Sequence, residues 1–151
     1  MKTHRFVLQV LVGGPLFLAG PLLGVWLVGF CAPDAPLSLL IGAAMLPLGV
    51  VLGASLARLA VLVAMPMWMA GLLWSAFRGN RKPPLDPTVV VVPLCWQLGC
   101  LAAGVVAGTV LALGSSAPIL AFLGAAGLGS VYGALWAVLM AAGILADPDA
   151  V

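Results

Sequence analysis

Long apolar runs alternate with short polar breaks along this chain. The first run extends from Phe6 to Phe30 and holds no charge, and the second extends from Leu37 to Phe77 with Arg58 as its one charged residue. A third covers Val89 to Leu113, and a fourth covers Ile119 to Ala146. A helix needs about 20 apolar residues to cross a hydrocarbon core roughly 30 Å thick, so every run is long enough to span a bilayer.

The breaks are legible as turns. Cys31-Ala32-Pro33-Asp34-Ala35-Pro36 ends one helix and starts the next through two prolines and an Asp. Gly114-Ser115-Ser116-Ala117-Pro118 is short, so the spans on either side of it should be antiparallel neighbours. Arg78-Gly79-Asn80-Arg81-Lys82-Pro83-Pro84 is the only polar run in the middle of the chain. As one helix, Leu37 to Phe77 would be about 60 Å long, twice the core thickness. Nothing around Ser55-Leu56-Ala57-Arg58-Leu59 reads as a turn, and Pro66 is the better break.

The pattern therefore predicts an all-α polytopic membrane protein, a single transmembrane domain over residues 1–151. Its spans cover about 6–30, 37–64, 89–113 and 119–146, arranged as two hairpins. A short interfacial helix over 67–77 follows the second span, with Trp68 and Trp74 at headgroup depth, and a basic loop covers 78–88. In a competing five-span reading, 59–77 crosses the bilayer and Arg78, Arg81 and Lys82 change sides. Lys2, His4 and Arg5 precede the first run as in a signal peptide. That run exceeds the usual apolar region of roughly 7–15 residues, and Phe30 is too bulky to precede a lipoprotein cysteine, so an uncleaved span is expected.

Composition narrows the function classes. The chain is 64% apolar and 7% charged, with six Lys or Arg, four Asp and no Glu, and its mean hydropathy is +1.27. A soluble domain carries about 25% charged residues. A soluble enzyme, a disordered tail and a nucleic-acid binder are excluded. Four spans put Lys2, Arg5, Arg78, Arg81 and Lys82 on one side, with Arg58 at its edge. The positive-inside rule then makes both termini cytoplasmic in an inner membrane.

Few residues can do chemistry. His4 is the only histidine and no span contains a carboxylate, so a histidine–zinc site, haem ligation, a Ser-His-Asp triad and proton pumping have no parts. No catalytic residue, metal or cofactor is assigned, and the chain reads as no enzyme. Cys95 and Cys100 are five apart, which is neither a redox pair nor a metal spacing, and Cys31 stands alone, so three free thiols are expected. Arg58 has three possible uses: snorkelling to lipid phosphate, binding an anionic substrate or headgroup, or meeting a partner's carboxylate. Gln97, near the middle of span three, suits an interhelical hydrogen bond worth roughly 0.6–2 kcal/mol, or a polar ring in an oligomeric pore. Arg78, Arg81 and Lys82 suit anionic lipid at about 1 kcal/mol each, or serve only as the topology signal.

In lipid, helices associate by close backbone approach at small residues. Gly49 and Gly53 in span two, Gly99, Gly104 and Gly108 in span three, and Gly129 and Gly133 in span four supply that surface, and Gly20 and Gly24 add to it in span one. They serve ordinary packing, a self-association face or a narrow pore lining. Spans two and four also align: Ala35-Pro36-Leu37 matches Ala117-Pro118-Ile119, and Ile41-Gly42-Ala43-Ala44 matches Leu123-Gly124-Ala125-Ala126. Either a hairpin was duplicated or a chain rich in Ala, Gly and Leu matches itself by chance. The alignment sets Arg58 opposite Met140, in the cytoplasmic leaflet.

Arg5-Phe6-Val7-Leu8 with Gly13-Gly14, together with Ala57-Arg58-Leu59, resembles the GtrA-like family, small four-span proteins associated with moving polyprenyl-linked sugars. The likeness covers a handful of residues in the first half, and spans three and four show nothing specific. It implies a role for Arg58 in holding a lipid phosphate. The expected function is a non-enzymatic helix-packing subunit of a homo-oligomer or of a larger membrane complex. The alternative is a small channel, transporter or lipid-linked translocation factor, with Arg58 contacting an anionic group and Gln97 and Thr109 lining the path.

Overall fold

The computed structural model describes residues 2–31, 36–79 and 88–144, which form four α-helices and, among the described residues, no strand. They are α1 (Lys2–Cys31), α2 (Pro36–Phe77), α3 (Thr88–Leu113) and α4 (Pro118–Ala141). All four are long and apolar enough to cross a membrane. The chain is an all-α, multi-pass membrane protein.

Two boundaries differ from the sequence pattern. α2 runs unbroken through Pro66, so residues 67–77 are its last turns and not a separate interfacial helix. Nor does α2 contain the turn that a fifth span would need. A proline removes one N–H from the helix ladder, yet its fixed φ remains helical. In apolar surroundings, opening the chain would strand several backbone groups at several kcal/mol each, so the helix closes over the ring. Pro15, Pro21, Pro47 and Pro93 are absorbed in the same way.

α4 stops at Ala141 instead of about 146. Gly143 takes the left-handed conformation with φ +71°. Its N–H bonds the Met140 carbonyl at 2.9 Å, and the Ile144 N–H bonds the Leu139 carbonyl at 3.0 Å. This pair of bonds is the Schellman stop, and it needs a residue without a Cβ penalty at that point. Gly79, with φ +67°, closes α2 in the same conformation, its N–H bonding the Ala76 carbonyl at 3.1 Å.

Contacts fix an up-down-up-down order. Gly24 of α1 faces Gly42 of α2, Gly53 of α2 faces Trp96 of α3, and Gly104 of α3 faces Ala125 and Gly129 of α4. α4 closes back on α1, where the Tyr132 hydroxyl donates to the Leu16 carbonyl at 2.7 Å. The start of α1 and the end of α4 therefore share one end of the bundle. At the other end, the Ser115 hydroxyl accepts from the Ala117 N–H and donates to the Cys31 carbonyl, tying the α3–α4 turn to the end of α1. The centre is filled by Val28, Leu46, Cys100, Ala121 and Ala125, all fully buried. Trp136 is buried beside them, stacked on Trp96 at 5.3 Å and edge-on to Tyr132 at 6.3 Å.

α2 outgrows its neighbours. At 42 residues it is about 63 Å long. Carried along the antiparallel registers, the start of α1 lies level with Ala64 and the start of α3 with Leu62. The rest of α2, about 13 residues or about 20 Å, extends past both. No residue of α2 after Ala57 is buried.

Candidate functional site

Two glycine seams are the most developed feature of the molecule. In the α2–α3 seam, a Cβ on Gly99 would overlap the Gly53 backbone, and one on Gly49 would stand 2.8 Å from the Cys100 Cα. Gly53 leaves the same 2.8 Å to the Trp96 Cα. In the α3–α4 seam, a Cβ on Gly104 would lie 2.5 Å from the Ala125 carbonyl oxygen, and one on Gly129 would lie 2.5 Å from that of Cys100. Gly108 and Gly133 leave 3.0 Å to the Phe122 oxygen and the Gln97 Cα. All seven of these glycines are buried inside one chain. Here the glycines let three helix backbones touch, which substitutes for the missing hydrophobic drive.

A third contact of the same kind joins α1 to α2. A Cβ on Gly24 would overlap the Gly42 carbonyl, and one on Gly42 would stand 2.5 Å from Val28. Spacing alone did not single out Gly42, because its partner belongs to another helix. Its counterpart in the internal alignment, Gly124, also faces α1, where a Cβ would stand 2.8 Å from the Leu27 side chain. The Tyr132–Leu16 and Ser115–Cys31 bonds likewise have no local sequence signal, since each joins residues far apart in the chain.

The polar residues of the spans do not converge. Arg58 is exposed. It follows Gly49 by nine residues, about two and a half turns, so it faces away from the α3 seam. The registers set it level with Leu8 of α1 and Val92 of α3, about 9 Å inside the end where α1 begins. Gln97 is half-buried, its backbone against Gly133. Thr109 is exposed beside the start of α4 and donates to its own Val105 carbonyl at 2.8 Å. Ser55 does the same to Val51 at 2.8 Å. These bonds satisfy the hydroxyls within their own helices.

At the tip of α2 the Arg78 guanidinium lies 5.3 Å from the centre of the Trp74 ring, a cation–π contact. Arg81, Lys82 and Asp86 lie outside the described residues, as do Asp34, Asp147 and Asp149. The thiols of Cys31, Cys95 and Cys100 are free. Among the described residues no group of three metal-ligating side chains forms.

No protein-family model matches the chain, and neither a curated protein nor a solved structure matches it. The resemblance to the GtrA-like family thus rests on the few residues quoted for it. What the helices, seams and stops together define is a multi-pass membrane protein of four apolar helices, the second longer than the others.

Proposed function

We propose that this chain is a non-enzymatic helix-packing subunit of a homo-oligomer or of a larger complex in the inner membrane, with both termini cytoplasmic. One observation carries the reading. The end of α2 that projects past its neighbours keeps Met67 73%, Leu73 62% and Phe77 89% exposed. An apolar helix end of this kind is stable only against lipid or another protein. Its length beyond the bundle favours protein, because tilting the whole bundle to submerge it would draw the other ends out of register with the bilayer. The excess of Lys and Arg at that end supports the orientation. Arg78, with Arg81 and Lys82 following in sequence, pairs with anionic lipid beside the contact.

A photo-crosslinking residue at Phe77, activated in native membranes, tests the reading. A protein adduct of one defined mass supports it, and identifies the partner as a second copy or a larger protein. Lipid adducts alone on a monomer overturn it.

A second reading has its own support. Arg58 is exposed on the outside of the bundle, in a helix that offers no carboxylate. That placement suits contact with the phosphate of a lipid or of a lipid-linked substrate being translocated. Loss of lipid transfer on Arg58→Ala, with assembly intact, would favour this over the packing subunit.

A further inference from the structure

The hydroxyls of Ser55, Ser75 and Thr109 each donate to a carbonyl of their own helix at 2.8 Å, and that of Tyr132 donates to Leu16. Gln97 of α3 and Ser130 of α4 differ. Both are half-buried, and among the described residues nothing bonds the Gln97 amide or the Ser130 hydroxyl. The two share one edge of the bundle. Gln97 comes two residues before Gly99, which meets Gly53 of α2, and Ser130 comes two before Tyr132, which meets α1. Two residues turn a helix by about 200°. Each side chain therefore points away from the helix that its neighbour meets, and both open on the outer edge of the α3–α4 seam. Gly133 lies against Gln97 there, so Ser130 stands about one turn further from the Arg78 end.

Depth selects what meets them. Gln97 is nine residues, about 14 Å, from the Thr88 end of α3. Ser130 is twelve residues, about 18 Å, from the Pro118 end of α4 and eleven, about 16 Å, from Ala141. In a hydrocarbon core about 30 Å thick, headgroups and water reach neither, and lipid tails offer no donor or acceptor. A primary amide carries two donors and one acceptor oxygen, so it is complementary to itself. Copies of one orientation, related by a two-fold axis along the membrane normal, bring Gln97 beside Gln97 at one depth. Each amide oxygen then accepts from the other's N–H, and the second N–H of each is left for a Ser130 hydroxyl one turn away.

We infer that the chain forms a two-fold dimer through the outer edge of its α3–α4 hairpin, with the Gln97 amides of the two copies paired inside the bilayer and Ser130 completing the pair. The inference names a second copy as a partner in the subunit reading and rests on that reading.

Energy transfer between full chains labelled at the amino terminus, reconstituted in phosphatidylcholine vesicles and diluted with lipid, tests the inference. Wild-type transfer is expected to fall on dilution as a monomer–dimer equilibrium. Gln97→Leu removes two bonds between chains and should raise the dissociation constant about tenfold, with an unfolding midpoint no lower than wild type. Ser130→Ala should raise it by less. Ser55→Ala, whose hydroxyl is held by its own helix, should leave it unchanged. A dimer untouched by Gln97→Leu overturns the assignment. So does a Gln97→Leu chain whose unfolding midpoint falls, because the amide would then bond within the chain. A wild-type chain that is monomeric at every dilution, yet gives a protein adduct through Phe77, overturns this dimer and keeps the subunit reading. A monomer that gives lipid adducts alone ends both.

Discussion

Gly24 and Gly42 touch backbone to backbone: a methyl group placed on Gly24 would overlap the Gly42 carbonyl oxygen. No flexible side chain stands there to give way, so α1 and α2 themselves must separate. Overpacking a tight interior costs typically 1–3 kcal/mol, and Gly24→Ala should fall at about 3 kcal/mol or above because the obstacle is backbone. Equilibrium unfolding in mixed micelles would measure it. Gly14, also on α1, has nothing within 4 Å of its would-be Cβ. There an alanine should be neutral or stabilise the helix by about 0.5–1 kcal/mol. Equal effects at the two positions would mean that α1 does not pack on α2 through Gly24.

The α3–α4 seam makes a separate prediction about assembly. Gly129 and Gly133 face Cys100 and Gln97 within one chain. Gly129→Leu should therefore unfold the α3–α4 hairpin before it changes the number of chains in a complex. Thermal unfolding followed by circular dichroism, run beside native mass spectrometry, separates the two effects. Loss of oligomer with an unchanged unfolding midpoint would instead place this seam between chains.

Tyr132 holds α4 to α1 through one hydrogen bond, from its hydroxyl to the Leu16 carbonyl at 2.7 Å. Tyr132→Phe keeps the ring, and with it the edge-on contact to Trp136, while deleting the donor. Hydrogen bonds between membrane helices average about 0.6 kcal/mol, with a maximum near 1.7. Because the ring is otherwise fully packed, the loss should be about 1 kcal/mol, read as a lowered unfolding midpoint. No change would show that the Leu16 carbonyl is satisfied by its own helix alone.

Much of this architecture is legible in the residues. Apolar runs and the breaks at Pro36 and Pro118 place the helices to within a few residues, because only a continuous helix hides its backbone in lipid. Pro66 misleads for the same reason: a proline that would end a helix in water is absorbed where unpaired backbone is costlier than one missing bond. The stop at Gly143 is missed because a single glycine in an apolar run looks like the many packing glycines around it, and only its positive φ tells them apart. Gly49, Gly53 and Gly99 stand out by four-residue spacing, yet spacing names a face and not what meets it. The apolar groove that Met45 of α2 and Ala107 of α3 line is invisible in sequence, since it belongs to two helices whose register no local pattern specifies. Where Arg58 points follows from the register of α2 on α3, which is likewise settled only in three dimensions.

Arg58 lies exposed on α2, and this gives the last prediction. It is exposed, and it faces away from the seam made by Gly49 and Gly53. Arg58→Ala should leave folding within about 0.5 kcal/mol of wild type, as for a surface substitution. The charge has a different consequence. It sits about 9 Å inside the bundle end, so the side chain must reach along the helix to the headgroup layer. Arg58→Lys keeps a charge able to reach phosphate, whereas Arg58→Ala removes it. Retention of anionic lipid should therefore fall with Ala and persist with Lys, measured by the lipid carried through purification at matched detergent. If both variants destabilise the fold equally, Arg58 is held by a protein group, and the lipid contact must be abandoned.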